Sequence, residues 1–197
     1  MAVVRPPVVS STPDSAAELG AANLRSLHTA RVIAELAASN ELVPGADAVA
    51  TRGAVFAQIA VVKGLPGPAE ATGGPAMSGP DGDAALKALA ALGWDSGDVF
   101  FTLSRPVAVG AGARIAERLR LQIESVDPEL IVAVDAEAAA DVAAALGCER
   151  VAFGEIVVVD GRRVLACDGL EASLMDTKRK QRVWSQLKPA VPRGPVY

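Results

Sequence analysis

Five acidic residues, Glu70, Asp81, Asp135, Asp168 and Glu171, lie in the segments that follow apolar runs of the kind that form buried strands, near the predicted carboxyl ends of those strands. Carboxylates gathered at one cleft do general acid–base work when their surroundings push one proton affinity up and another down. Spacing alone does not bring the five together. Asp81, Asp135 and Asp168 each precede a predicted helix, where a carboxylate caps the first turn. Glu70 is therefore the first candidate acid or base, with Asp135 and Asp168 as the others. A second signal is Ser78-Gly79-Pro80-Asp81-Gly82, a glycine loop entering a helix N-terminus, a geometry that accepts phosphate. Asp81 opposes that use, and a plain turn explains the glycines better. A third is the basic run Lys178, Arg179, Lys180 and Arg182 beside Trp184, a pairing suited to a nucleic-acid backbone. The competing reading is a solvated helix face above Val183 and Leu187.

Other chemistries find little support. The two cysteines, Cys148 and Cys167, lack CxxC spacing, so the sequence holds neither a disulfide framework nor a zinc site. They read as thiols of a reducing cytoplasm, where the chain is expected, and no metal site is predicted. The single histidine, His28, lies in a helical stretch and reads as structural or solvent-facing. Lys plus Arg number 19 against 23 Asp plus Glu, so no global field attracts nucleic acid. No apolar run reaches membrane-spanning length and the first residues lack a continuous apolar core, so no membrane partner is expected.

The elements that must position these residues follow from periodicity. With 51% hydrophobic but only 4% aromatic residues among 197, the core must be built from Ala, Val and Leu, which suits closely packed α/β layers. Residues 1–14 form a Pro-rich arm, 15–188 a single domain and 189–197 a Pro-rich tail. Either terminal segment could dock on a partner protein. Helical spacing runs from Asp14 or Ser15 to Ala38. Ala54 to Val62 reads as a buried strand, and Val99 to Leu103 and Leu130 to Val134 as two more. Helices are predicted from Asp81 or Asp83 to Leu92, Ala113 to Ser125, Ala136 to Leu146 and Leu170 to Leu187. Asp160-Gly161 marks a hairpin with a type I′ turn. The loop after Val62, about 19 residues, is long enough to require a function. Strands alternating with helices predict an α/β/α fold of three layers around a central, mostly parallel, four-stranded sheet, with ligands outside the carboxyl ends of the strands.

The frame Gly67-x-x-Glu70-x-x-x-Gly74-x-x-Met77-x-Gly79-x-x-Gly82, then a helix closed by Gly93 and the strand VFFTL, resembles the iron–sulfur type of uracil-DNA glycosylase. The similarity extends through LQIESVDPELIVAVDAEAAADVAAALG, and again through GRRVLACDGLEASLMD and QRVWSQL. The resemblance implies a uracil-DNA glycosylase-like fold and an ancestry in base-excision repair. Such enzymes extrude a base, stack it on a ring and read its edge with an amide. The family's Gly-acid-Ala-Pro-Gly motif lines up with Lys63-Gly64-Leu65-Pro66-Gly67, which puts Gly64 at the acidic position. Met77 stands at the stacking Phe, Leu103 at the reading Asn, and Gly169-Leu170-Glu171 at His-Pro-Ser. The four cluster cysteines have no counterparts, so no iron–sulfur centre is expected.

These replacements make Gly64, Pro66, Gly67, Met77, Leu103 and Gly169 a vestigial pocket. The leading expectation is a pseudoenzyme serving as a binding module, with a protein partner favoured over DNA. The alternative is an active glycosylase or nucleotide hydrolase that uses Glu70, Asp135 or Asp168.

Overall fold

The computed structural model describes residues 16–45, 49–107 and 113–193. The expected arm, 1–14, lies outside them. Helix α1 (Ala16–Asn40) is followed by strands β1 (Arg52–Gly53) and β2 (Ile59–Lys63), a short helix α2 (Pro68–Ala71) and α3 (Pro80–Ala91). Then come β3 (Val99–Leu103), α4 (Ile115–Val126), β4 (Leu130–Ala133), α5 (Ala136–Leu146), β5 (Val157–Val159), β6 (Arg162–Ala166), α6 (Leu170–Ser173) and α7 (Thr177–Leu187).

One six-stranded sheet has the order β1-β3-β2-β4-β6-β5. β2 pairs in parallel with β3 and β4, and β4 with β6, while β1 and β5 lie antiparallel at the edges. The expected four-stranded sheet is thus too small. The hairpin adds β5 as an edge strand, and β1 is too short to carry any periodic signal.

β2, β3 and β4 are buried along their whole lengths, which explains their unbroken apolar character. Helices cover both faces. On one, Val32 and Leu36 of α1, Leu119 and Ile123 of α4 and Val142 of α5 pack on Ala60, Val62, Ile131 and Val164. On the other, Ala85 and Leu89 of α3 and Val183 and Leu187 of α7 pack on Val61, Phe101, Val132 and Leu165.

Local chemistry sets the boundaries. Asp160 and Gly161 both take positive φ, 49° and 82°, as a type I′ turn requires. α5 begins where the Asp135 carboxylate accepts the Ala138 N–H and ends at Gly147 in the left-handed region. The strand expected from Ala54 begins only at Ile59. β1 and β2 run in opposite directions beside β3, so the chain must reverse between them, and residues 54–58 make that turn. The helix expected from Leu170 to Leu187 is broken by Asp176, which caps α7 by accepting the Lys178 and Arg179 N–H groups. Just beyond α7 two residues are held on the body: Trp94 Nε1–H donates to the Ala190 carbonyl and Arg163 to that of Val191; residues 194–197 of the expected tail lie outside the described residues. Among the described residues no helix is long and apolar enough to cross a membrane.

Two glycines separate conformational from steric demand. A Cβ on Gly161 would meet open space, whereas one on Gly82 would lie 1.8 Å from the Met77 carbonyl oxygen. Chemical denaturation should show Gly161→Ala losing about 1–2 kcal/mol for its φ alone, and Gly82→Ala losing more, because backbone must move. Equal losses would contradict the contact.

Candidate functional site

From the carboxyl end of β2 the chain leaves towards β3, and from that of its neighbour β4 it leaves the other way, towards β6. In open α/β sheets the crevice at such a reversal is where ligands bind. A cavity of about 350 Å³ lies there, with Lys63, Pro66, Asp81, Asp135, Gly169 and Glu171 in its wall.

Lys63 is the last residue of β2 and is buried. Its Nζ lies 2.7 Å from Asp81 Oδ2, 2.8 Å from Glu171 Oε2 and 3.4 Å from Glu70 Oε2. An ammonium has three protons to donate, and all three have a carboxylate. Burial works against the charge, but the hydrogen bonds to Asp81 and Glu171, with the charges of Asp81 and Glu70, outweigh it. The amine is pushed up to about 12. It is a fixed cation, unsuited to nucleophilic or Schiff-base chemistry. Through it β2, α2, α3 and α6 are tied to one point.

Three acids, Glu70, Asp135 and Asp81, are also committed, whereas Glu137 in the cavity wall is exposed. Glu70 is buried, with Oε1 accepting the Met77 N–H at 2.7 Å and Oε2 the Gly67 N–H at 2.9 Å, so it holds the turn that starts α2. Asp135 accepts the Ala138 N–H at 2.7 Å on one oxygen and the Gly64 N–H at 2.8 Å on the other. It thereby joins the loop after β2 to the helix after β4 across the reversal. Burial raises the Asp135 pKa, and the two backbone hydrogen bonds oppose the shift. Asp81 does not cap α3: Gly79 is the cap, and Asp81 turns inward to Lys63. That pairing also argues against phosphate at the Ser78–Gly82 loop.

The glycines of this region fit tightly. A Cβ on Gly64 would lie 2.6 Å from Glu137 Cβ and 2.7 Å from Asp135 Oδ1, so this backbone has no room for an acidic side chain there. A Cβ on Gly67 would lie 2.5 Å from Lys63 Nζ.

The remaining candidates fall in different places. Pro66 and Gly169 line the cavity, but Met77 and Leu103 do not. Both are fully buried in the core on the α3–α7 side, because the apolar interior there takes any side chain large enough to fill it. Of the six residues of the expected pocket, Pro66 and Gly169 are thus in the cavity wall, Met77 and Leu103 are in the packed core, and Gly64 and Gly67 are in neither. Asp168 lies outside the cavity wall and pairs with Arg182 at 3.3 Å. The basic run is split as well. Lys178, Arg179 and Arg182 share an exposed side of α7, while Lys180 lies with Val183, Trp184 and Leu187 along a separate groove. His28 is exposed and stacks on Phe56 with centroids 5.2 Å apart. The cysteines do not fit an iron–sulfur cluster of four thiolates: there are two, and burial pushes the Cys167 thiol up to about 12, with Asp135 and Asp168 adding to it.

Lys63 is the residue that sequence reasoning missed. Its signal was a lysine ending the buried run IAVVK, a position that a cation occupies only when paired.

Two measurements test this arrangement. Lys63→Met leaves three carboxylates without their cation and should cost about 3–5 kcal/mol in chemical denaturation. Because the folded protein holds the Lys63 proton more tightly than the unfolded chain, its contribution is complete below the ordinary value of 10.5 and lost as pH rises towards about 12. The wild type should show that alkaline decline and Lys63→Met should lack it. Identical pH profiles would contradict the network.

A scan of protein-family models finds no match to this chain, and no curated protein matches it.

Proposed function

We propose that the chain is a binding domain of uracil-DNA glycosylase-like architecture that does not excise bases, and that its ligand occupies the cavity between the ends of β2 and β4. The parallel pairing at the centre of the sheet and the helices on both faces support a three-layer fold of that kind. The observation that carries the functional reading is the commitment of the acids. Glu70 and Asp135 each spend both oxygens on backbone N–H groups. Asp81 and Glu171 are held by Lys63. A general base needs hydrogen-bond reach to a substrate proton, and these groups are already turned to structural partners.

Charge narrows the ligand. One lysine faces Asp81, Asp135, Glu137 and Glu171 around the cavity, so its field is acidic and disfavours phosphate. A neutral or cationic polar molecule of about nucleobase size is the better fit. The same field weighs against a DNA backbone at this edge, leaving Lys178, Arg179 and Arg182 as the nucleic-acid candidate and a protein as the favoured macromolecular partner.

One observation favours a second reading. Burial raises the proton affinity of Asp135, the direction a hydrolase using it as an acid would require. Incubation with uracil-containing single strands and mismatched duplexes separates the two. We expect no base release above the protein-free control, and release abolished by Asp135→Asn would overturn the proposal. Thermal unfolding tests the ligand class: free nucleobases or small amines should raise the melting temperature and inorganic phosphate should not. A rise with phosphate alone would contradict it.

A further inference from the structure

Two apolar surfaces lack a partner among the described residues, and they complement each other. The first is on α1. Its second half is anchored: Val32 and Leu36 are buried, and Asn40 Oδ1 accepts from Arg118, which also donates to the Leu103 carbonyl at the carboxyl end of β3. His28 stacks on Phe56, just before β2 begins. α1 therefore crosses the sheet from its amino to its carboxyl edge, and everything before His28 overhangs the amino edge. Every residue from Glu18 to His28 is exposed. Leu19, Leu24 and Leu27 are 52%, 69% and 69% exposed. At the α-helical repeat they fall within an arc of roughly 140°, on the side opposite Val32 and Leu36. An overhanging helical segment of this length is marginal in water by itself, and three bare leucines on it, Leu19, Leu24 and Leu27, call for a cover.

The second surface is a groove of about 600 Å³ between α3 and α7. Ala84, Ala88 and Ala91 form one wall, and Leu174, Val183 and Trp184 the other. The opposite face of the sheet carries three long helices, α1, α4 and α5, whereas this face carries two, α3 and α7. The groove lies between those two on the outer side of the layer, floored by Leu170 and Ser173 of α6 rather than by the sheet. Its α3 wall is 12 residues long, about 18 Å, and the ten exposed overhanging positions of α1, Glu18 to Leu27, span about 15 Å. Small residues on the wall let a helix approach closely, as a ridge of leucines requires.

We infer that the occupant is a second copy of this chain, each protomer laying its α1 overhang into the other's α3–α7 groove. The overhang points away from its own body, beyond the amino edge of the sheet, so the partner's groove is the one it meets. Reciprocity follows from size. A standard interface uses roughly 20–30 residues per side. The ten overhang positions alone fall short of that, and together with the fifteen groove residues of the same protomer they reach it. Exchange by both protomers also closes the contact into a dimer, whereas one-way docking would leave it open to growth. The inference is independent of the ligand reading, since neither surface touches the cavity.

The test is sedimentation equilibrium of the full chain. The wild type should have twice the chain mass. Leu24→Glu/Leu27→Glu, which spoils the overhang, and Ala91→Glu/Trp184→Glu, which spoils the groove, should each be folded by circular dichroism and sediment as monomers. An equimolar mixture of the two variants retains one intact overhang and one intact groove, and should recover a heterodimer that neither forms alone. If a double variant unfolds, Leu19→Glu or Ala91→Glu alone takes its place. The inference is overturned by a monomeric wild type, in which the chain's own first residues would cover the overhang. It is also overturned by a dimer that survives either change, by assembly into larger open forms, or by a mixture that stays monomeric.

Discussion

The structure depends on one buried ammonium. Lys63 ends a strand whose other residues are fully apolar, at the point where the chain departs in opposite directions from two neighbouring strands. A lone cation there would be costly enough to prevent folding. Three carboxylates, from α2, the first turn of α3 and α6, converge on it and make the position tolerable. The long loop after β2 is shaped by that requirement. Glu70 must reach back to Lys63 while closing the turn at Gly67, and Gly67 must lack a side chain because Lys63 Nζ occupies the space.

The same constraint decides what the cavity can do. Acids that hold a cation and backbone N–H groups are poor proton carriers, because each would have to break a structural bond to act. In the reading proposed above, what remains is a small acidic recess that serves recognition rather than bond cleavage. Asp135 is the point of tension. It is both the brace across the chain reversal and an acid whose proton affinity burial raises.

Much of the scaffold was legible in the sequence. β3 and α5 occupy the residues that periodicity and capping predict, and Asp160-Gly161 turns as its chemistry requires, because these signals are local. The sheet edges were not legible: β1 has two residues and no pattern, and the apolar run from Ala54 is spent partly on a turn that only the antiparallel pairing of β1 explains. The site was readable as a location, at the strand ends, but not as a constellation. Asp81 looks like a helix cap until its distance to Lys63 is known. Met77 and Leu103 align with pocket positions yet face the core, since the side a residue takes depends on packing partners far away in the chain. Lys63 carried its signal in context alone, a charge at the end of a buried strand.

Lys63 is a saturated structural cation rather than a reactive amine. A pH titration of its side chain by nitrogen-detected or methylene-carbon magnetic resonance tests this. The ammonium should stay protonated well above the ordinary lysine value, towards about 12. An amine that titrates at or below 10.5 would contradict it.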